Sequence, residues 1–233
     1  MTTAALIVAG GSGTRLGADR PKQYLDLGGK AVIRHTLEAF LAHPRVDMAL
    51  VVIGAGHEDM FAQATRGLAL PAPAGGGPTR QLSVANGLEA LAALGERAPD
   101  VVMIHDAARP FVSAALVDRL LAALDEHEGV IPALPVVDTI KVVDAAGVIT
   151  ATPDRSSLRA AQTPQVFPLP AILAAHRRAR ERGETDLTDD AAVAELAGMR
   201  VAVVAGDPGN RKITSAADLE WARSRLAETE AGA

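Results

Sequence analysis

The sequence predicts an α/β protein whose mostly parallel sheet is flanked by helices, with a β-hairpin arm projecting from it. Short apolar runs alternate with segments of helical periodicity, and these runs are continuous rather than alternating. One stretch has the spacing of a hairpin. Because hydrophobic residues make up 48% of the 233 residues, the chain can form a large buried core. We expect a single domain over residues 1–233, with the arm inserted at residues 138–158.

The apolar runs predict strands that are covered on both faces. A strand with one exposed face would alternate apolar and polar residues, whereas these runs do not. The predicted strands are residues 4–9, 48–53, 101–104, 129–134 and 200–204.

Helical periodicity separates these strands. Ser113 is a predicted N-cap for a helix with an apolar face, and Ser215 with Asp218 three residues later predicts a capping box that opens the last helix. Alternation of strands and helices implies right-handed crossovers. Ligands are then expected at the carboxyl ends of the strands.

The arm is predicted from residues 138–143 and 148–152, which flank the turn Asp144-Ala145-Ala146-Gly147. An isolated two-stranded hairpin is only marginally stable in water. We therefore expect the arm to pack against another surface, plausibly that of a second subunit, and to serve as a dimerisation element.

Composition excludes several classes of function. The chain has no cysteine, which rules out disulfides, thiolate zinc sites and cysteine nucleophiles. Its formal net charge of -5 argues against binding to nucleic acid, which favours a basic face. Residues 1–9 lack the layout of a signal peptide, and no apolar run approaches the ~20 residues of a membrane span. We expect a cytoplasmic protein that does not bind membranes.

A glycine-rich turn follows the first strand, with the sequence AGGSGTRLG from Ala9 to Gly17. Such a turn lets backbone N–H groups approach an anion closely. It is not a Walker A loop, because no Gly-Lys is followed by Ser or Thr. It is not a dinucleotide fingerprint either, since the third glycine would stand where Leu16 is.

Two cations, Arg15 and Lys22, follow this turn closely, and Pro21 stiffens the chain before Lys22. Transfer of a nucleotidyl group builds negative charge on a five-coordinate α-phosphorus, so it requires fixed cations more than a strong base. This combination favours binding and reaction of a nucleoside triphosphate.

The acidic residues 186–190 could be interpreted as a metal site. We favour instead a loop that leads into a helix capped at Thr188. Any Mg²⁺ is better explained as carried by a triphosphate, because this ion keeps several waters and needs few protein ligands.

The motifs, taken in order, resemble those of the 2-C-methyl-D-erythritol 4-phosphate cytidylyltransferase family. The resemblance spans roughly residues 4 to 220, and several ordered motifs are far more specific than any one of them. The matching strings are AGGSGTRLG with RPKQYL, then GGPTRQLSV, HDAARP, DTIK, QTPQVF, TDLTDDA and GNRKIT.

This resemblance implies a Rossmann-like nucleotidyltransferase sheet and a Mg²⁺-dependent enzyme of the non-mevalonate isoprenoid pathway. Such enzymes transfer CMP from CTP to 2-C-methyl-D-erythritol 4-phosphate and release pyrophosphate. The resemblance also implies a homodimer formed through the arm.

The family pattern implies a role for each matching residue. Arg15 and Lys22 would stabilise the transition state at the α-phosphate. His105 is expected to be structural. The residues implied to bind the nucleotide are Ala9, Gly10, Gly11, Gly13, Gly77, Arg80, Ser83 and Asp106. Those implied to position the second substrate are Arg155, Lys212, Thr163, Thr139, Asp106 and Arg109, with Thr139 and Arg155 reaching the site of the other subunit.

Three alternatives remain from the sequence. The closest is a ribitol-5-phosphate cytidylyltransferase, against which the strings DAARP, DTIK and LTDDA weigh. A sugar-1-phosphate nucleotidyltransferase shares the glycine turn, but chains of that group are usually longer. A non-catalytic nucleotide-binding protein or scaffold is disfavoured by the presence of Arg15, Lys22 and Lys212.

Overall fold

A computed structural model describes residues 1–11 and 20–231 of the chain. The strands are β1 (Thr3–Ala9), β2 (Asp26–Leu27), β3 (Lys30–Ala31), β4 (Met48–Ile53), β5 (Ala74–Gly75), β6 (Val101–Asp106), β7 (Gly129–Pro135), β8 (Val142–Val143), β9 (Ile149–Ala151), β10 (Arg159–Ala161), β11 (Gln165–Pro168) and β12 (Val201–Ala205). The helices are α1 (Val32–Leu41), α2 (Glu58–Ala64), α3 (Arg80–Ala92), α4 (Ala114–Leu124), α5 (Leu169–Glu181), α6 (Asp190–Leu196) and α7 (Ala216–Ala231).

Eight of the described strands form one sheet, in the order β10-β7-β11-β6-β1-β4-β5, with β12 also paired to β7. β1 is parallel to β4 and β6, β4 to β5, and β7 to β12, which confirms the predicted mostly parallel sheet. β11 lies antiparallel between β6 and β7, and β10 is antiparallel to β7. These two strands were not predicted, because segments of three and four residues are too short to show a period.

The predicted central strands owe their continuous hydrophobicity to packing on both faces. In β1, Ile7 packs into the same cluster as Phe40, whereas its neighbour Leu6 packs on the opposite face with Leu88. All four side chains are fully buried, and burial of such a side chain contributes about 1.5–3 kcal/mol. The carboxyl ends of β1, β4 and β6 therefore meet at one well-supported edge of the sheet.

Two of the three predicted helix caps are confirmed. The Ser113 hydroxyl accepts a hydrogen bond from Leu116 N at 3.3 Å. Ser215 N donates to Asp218 Oδ2 at 2.9 Å, and Asp218 N donates to Ser215 Oγ at 3.2 Å, as in a capping box. The cap predicted at Thr188 was wrong: Asp189 caps α6 by accepting from Ala192 N at 2.9 Å, since a carboxylate also complements the positive end of the helix.

The predicted arm forms a short antiparallel hairpin in which Val142 pairs with Ala151 and Val143 with Ile149. Both strands are shorter than expected. Asp144 Oδ1 accepts from Ala146 N and Val148 N, each at 2.9 Å, and so stabilises the turn.

No helix in residues 1–11 and 20–231 is long and apolar enough to cross a membrane.

Candidate active site

A cavity of about 500 Å³ opens at the carboxyl ends of β1 and β6. It is polar at one end and bordered by backbone of the glycine turn at the other. Nine of the residues that the sequence singled out line it together: Ala9, Gly10, Gly11, Lys22, Gly77, Arg80, Ser83, Asp106 and Lys212. The other nucleotide-site candidates, Arg15 and Gly13, lie outside the described residues, so the pairing of Arg15 with Lys22 stays a prediction.

The start of the glycine turn is fixed by Gln23, a residue that the sequence analysis did not single out. Its buried amide donates from Nε2 to Ala9 O at 2.6 Å and to Gly11 O at 3.0 Å. With both carbonyl oxygens occupied by Gln23, the backbone of residues 9–11 is fixed beside the cavity. Lys22 precedes Gln23 in a single 3-10 turn, so the same turn places both residues.

The loop before α3 borders the cavity on its other side. Ser83 Oγ accepts from Gly77 N at 3.0 Å and donates to Thr79 O at 2.9 Å. A Cβ atom at Gly77 would lie 2.7 Å from Leu82 Cβ and 3.0 Å from the Leu82 carbonyl carbon, so only glycine fits there. Ser83 thus shapes this wall through the backbone of Gly77.

Asp106, the last residue of β6, is surrounded by cations. Its Oδ2 lies 2.7 Å from Lys212 Nζ and 3.8 Å from Arg109 Nε, and its Oδ1 lies 3.2 Å from Arg80 Nε. Burial alone would raise the pKa of Asp106, but Arg80, Lys212 and Arg109 outweigh it and hold the pKa well below its usual range. The carboxylate therefore stays ionised and holds three cations in place.

A second cavity of about 310 Å³ adjoins the first and shares Arg80, Asp106 and Lys212 with it. Two more of the predicted substrate-positioning residues, Arg109 and Thr163, also line the second cavity. Arg109 is aimed by its Nη1, which donates to Asn210 O at 2.9 Å. Its pKa is lowered, because burial and the nearby Arg80 outweigh the attraction of Asp106. The two cavities can hold two anionic ligands on either side of the same three charged side chains.

His105 lies behind this wall. Its Nε2 is 3.0 Å from Arg109 O and its Nδ1 is 3.0 Å from Thr163 Oγ1, which in turn accepts from Asp106 N at 3.1 Å. Complete burial lowers the pKa of His105 to about 4. The neutral ring connects Thr163, Asp106 and Arg109 and lines neither cavity, as expected of a structural residue.

The two candidates on the arm are not brought to the cavities of their own chain. Thr139 and Arg155 are exposed and line neither cavity. Arg155 Nη1 donates to Val137 O at 2.8 Å, at the base of the arm.

Two residues of the acidic segment 186–190 make contacts that hold the fold together. Asp189 caps α6, and the fully buried Asp190 contacts Arg80 and His176. In the described ranges, no group of three or more His, Cys, Asp or Glu side chains could hold a metal ion. Sequence reasoning missed Gln23, Asp190 and His176 as neighbours of the site. Gln23 and Asp190 belong to the strings RPKQYL and TDLTDDA, whereas His176 belongs to none of the matching strings. The contacts of all three span elements that are distant in sequence.

A family model described as 2-C-methyl-D-erythritol 4-phosphate cytidylyltransferase, IspD, matches residues 3–228. The chain is 54% identical over 225 residues to a bifunctional enzyme IspD/IspF of Mesorhizobium japonicum, covering 96% of this chain and 54% of that protein. It is 51% identical to a protein of the same description from Nitrobacter winogradskyi, covering 97% of this chain and 56% of that protein. The chain thus spans about half the length of the curated relatives it matches.

Solved structures show the same fold. A 2-C-methyl-D-erythritol 4-phosphate cytidylyltransferase from Thermus thermophilus superposes with a TM-score of 0.80 at 34% identity, covering 97% of this chain and 100% of the other. A 4-diphosphocytidyl-2C-methyl-D-erythritol synthase from Anaerococcus prevotii superposes with a TM-score of 0.82 at 30% identity, covering 97% and 98% of the two chains.

Proposed function

The chain belongs to the 2-C-methyl-D-erythritol 4-phosphate cytidylyltransferase family, and on that premise we propose that it transfers CMP from CTP to 2-C-methyl-D-erythritol 4-phosphate. The products are 4-diphosphocytidyl-2-C-methyl-D-erythritol and pyrophosphate, and the reaction belongs to the non-mevalonate isoprenoid pathway. The observation that carries the proposal is the pair of adjoining cavities that share Arg80, Asp106 and Lys212.

Arg80 and Lys212, the cations that line both cavities, suit a reaction in which one anionic substrate attacks another in line. An oxygen of the substrate phosphate attacks the α-phosphorus of CTP, a new P–O bond forms, and the bond to the bridging oxygen of pyrophosphate breaks. The attacking phosphate needs no general base, because its second pKa is about 6 and it is largely ionised at neutral pH. What the protein supplies is position and positive charge, from Lys22 and Lys212 in the nucleotide cavity and from Arg109 beside the second cavity.

We propose Mg²⁺ as part of the CTP complex. The described residues offer no cluster of carboxylates for it, and the charge of Asp106 is already shared among three cations. The ion would therefore enter on the triphosphate and supply charge neutralisation there.

The arm supports a homodimer as a further part of the proposal. Val143, Val148 and Ile149 expose 53–60% of their surface on a hairpin that would be marginal alone. Packing against a second subunit would cover them and bring Thr139 and Arg155 to the other subunit's cavities. We propose the cytoplasm as the location, where CTP is made and used.

The direct test is pyrophosphate release with each of the four nucleoside triphosphates, Mg²⁺, and either 2-C-methyl-D-erythritol 4-phosphate or ribitol 5-phosphate. We expect turnover with CTP and the methylerythritol phosphate. Turnover with ribitol 5-phosphate instead would favour the sister activity, and no release with any pair would overturn the proposal.

Replacement of Lys22 tests the role of the cation in the nucleotide cavity. Lys22→Ala should lower kcat by about 100- to 1000-fold, as for the loss of one donor that stabilises a transition state. Lys30→Ala is the matched control, because Lys30 is exposed and pairs with Glu38 away from both cavities. Full turnover by Lys22→Ala would refute this role.

A further inference from the structure

Arg80, the first residue of α3, lies between two carboxylates. Its Nε is 3.2 Å from Asp106 Oδ1 in the site, and its Nη2 is 2.9 Å from Asp190 Oδ2 behind the site. Both Nη atoms are buried and form no hydrogen bond of standard geometry among the described residues, so the contact of Nη2 with Asp190 is an ion pair. The guanidinium is therefore held at two points, by a hydrogen bond from Nε to Asp106 and by an ion pair of Nη2 with Asp190.

Asp190 is itself held firmly at the start of α6. It is fully buried, and its backbone N donates to Gln165 Oε1 at 2.9 Å, as does Ala191 N. Its second carboxylate oxygen, Oδ1, lies 3.3 Å from Nε2 of His176, whose side chain is 1% exposed. Asp190 thus links α3, α5, α6 and β11 at one buried point.

We propose that Asp190, backed by His176, is a positioning residue that keeps Arg80 in the orientation shared by the two cavities. This inference rests on the proposed function, because Arg80 is taken to serve a nucleotide and a polyol phosphate together. Neither Asp190 nor His176 lines either cavity, so both act through Arg80.

Asp106 can itself attract the whole guanidinium of Arg80, which explains why Asp190 is needed as a second anchor. Arginine prefers a bidentate pair with one carboxylate, in which two N–H groups meet two oxygens. Without Asp190, Arg80 is free to turn onto Asp106 and occupy Oδ2, the oxygen that holds Lys212 at 2.7 Å. With Asp190 present, Arg80 uses only Oδ1 of Asp106, and Oδ2 remains for Lys212.

The electrostatics of Asp190 agree with this arrangement. Burial would raise its pKa, but Arg80 and His176 reverse the effect and lower it, so the carboxylate stays ionised. A buried ion pair adds little net stability compared with apolar packing. Its benefit here is the fixed direction of Arg80.

The kinetic test compares wild type, Asp190→Asn and a control, Glu195→Gln, which removes an exposed charge from the same helix. Wild-type turnover of CTP and the methylerythritol phosphate is measured first, so that failure of the proposed function is recognised separately. Asp190→Asn should then reduce kcat/KM for the polyol phosphate by about 10- to 100-fold through both parameters, as misplacement of a binding group does. Unchanged KM and kcat, or a loss that only follows the folded fraction, would overturn the inference.

His176 provides a second pair of variants. His176→Gln keeps a side-chain N–H near Asp190, whereas His176→Leu removes it at similar volume. We expect kinetics close to wild type for the glutamine variant and a defect like that of Asp190→Asn for the leucine variant. Equal kinetics in the two variants would refute the role of His176.

A measurement on the wild-type protein without substrate keeps the inference testable even if the variants fold poorly. A guanidinium held at both Nε and Nη2 cannot rotate freely about its Nε–Cζ bond, which is the rotation that exchanges the two Nη groups. We expect resolved ¹⁵N signals for the two Nη groups of Arg80 by NMR, and one averaged signal would overturn the two-point anchor.

Discussion

Gln23 shows how one buried amide can fix the backbone that borders a cavity. The residue is 2% exposed and donates to two backbone carbonyls of the glycine turn. Each neutral hydrogen bond contributes about 1 kcal/mol net, and a buried carbonyl left without a donor costs more than that. Gln23 itself borders the cavity, and its side chain fixes the wall against which a nucleotide would lie.

Gln23→Leu should therefore raise KM for CTP by about 10-fold, because two carbonyls lose their donor and the backbone of residues 9–11 is free to relax. Gln63→Leu on α2 makes the same chemical change at an exposed position and is the control. Steady-state kinetics with varied CTP measure the effect. The same KM in Gln23→Leu and wild type would show that the turn holds its shape without this amide.

At the scale of elements, the loop that carries Lys212 is secured by the cap of α7. Asp218 Oδ2 accepts from Thr214 N and Ser215 N, each at 2.9 Å, and Oδ1 lies 2.6 Å from Arg211 Nη2. Burial would raise the pKa of Asp218, but these hydrogen bonds outweigh it and lower the pKa well below its usual range. The ionised cap connects the end of the chain to the site.

This lowered pKa predicts a pH-dependent contribution to folding. A carboxyl group whose pKa is depressed in the folded state stabilises fully above its unfolded pKa of about 4 and progressively less as pH falls toward the folded value. Asp218→Asn should cost about 1–2 kcal/mol at pH 7, as for loss of a helix cap.

The difference in unfolding free energy from wild type should shrink below pH 4, when measured by urea titration at several pH values. Glu220→Gln removes an exposed carboxylate from the same helix and should show no such trend. If the difference in unfolding free energy between Asp218→Asn and wild type stayed constant down to pH 2.5, the cap would not depend on ionisation of Asp218.

At the scale of the whole molecule, the two cavities of one chain lack both arm candidates. Thr139 and Arg155 lie on the exposed arm, one on each side of the hairpin strands, whereas Arg109, Thr163 and Lys212 line the second cavity. A symmetric dimer in which each arm crosses to the other subunit would complete both sites.

Complementation between inactive subunits tests this arrangement. A heterodimer of a Lys22→Ala chain and an Arg155→Ala chain, purified through two different tags, would contain one site with both residues intact. Its turnover at low polyol phosphate should reach about half that of wild type. If each site were built from one chain, the heterodimer would show only half the residual activity of the Arg155→Ala homodimer.

The sequence by itself determined the class of fold, the central strands, the arm and most of the residues that line the first cavity. These are local or periodic features: continuous apolar runs mark strands covered on both faces, and the turn and cap residues act on their immediate neighbours. The string motifs brought Lys22, Gly77, Asp106 and Lys212 into one hypothesis, and these residues line one cavity.

Tertiary structure alone decided the antiparallel placement of β11, the cap at Asp189 instead of Thr188, and the contacts of Gln23, Asp190 and His176. Arg80 and Asp190 are 110 residues apart in the chain, and no periodicity links them. The three cations around Asp106 likewise come from separate parts of the chain: Arg80 from α3, Arg109 from the segment after β6 and Lys212 from the loop before α7. Such pairings depend on how the sheet brings distant elements together, because electrostatic contacts are set by distance in space and leave no pattern along the chain.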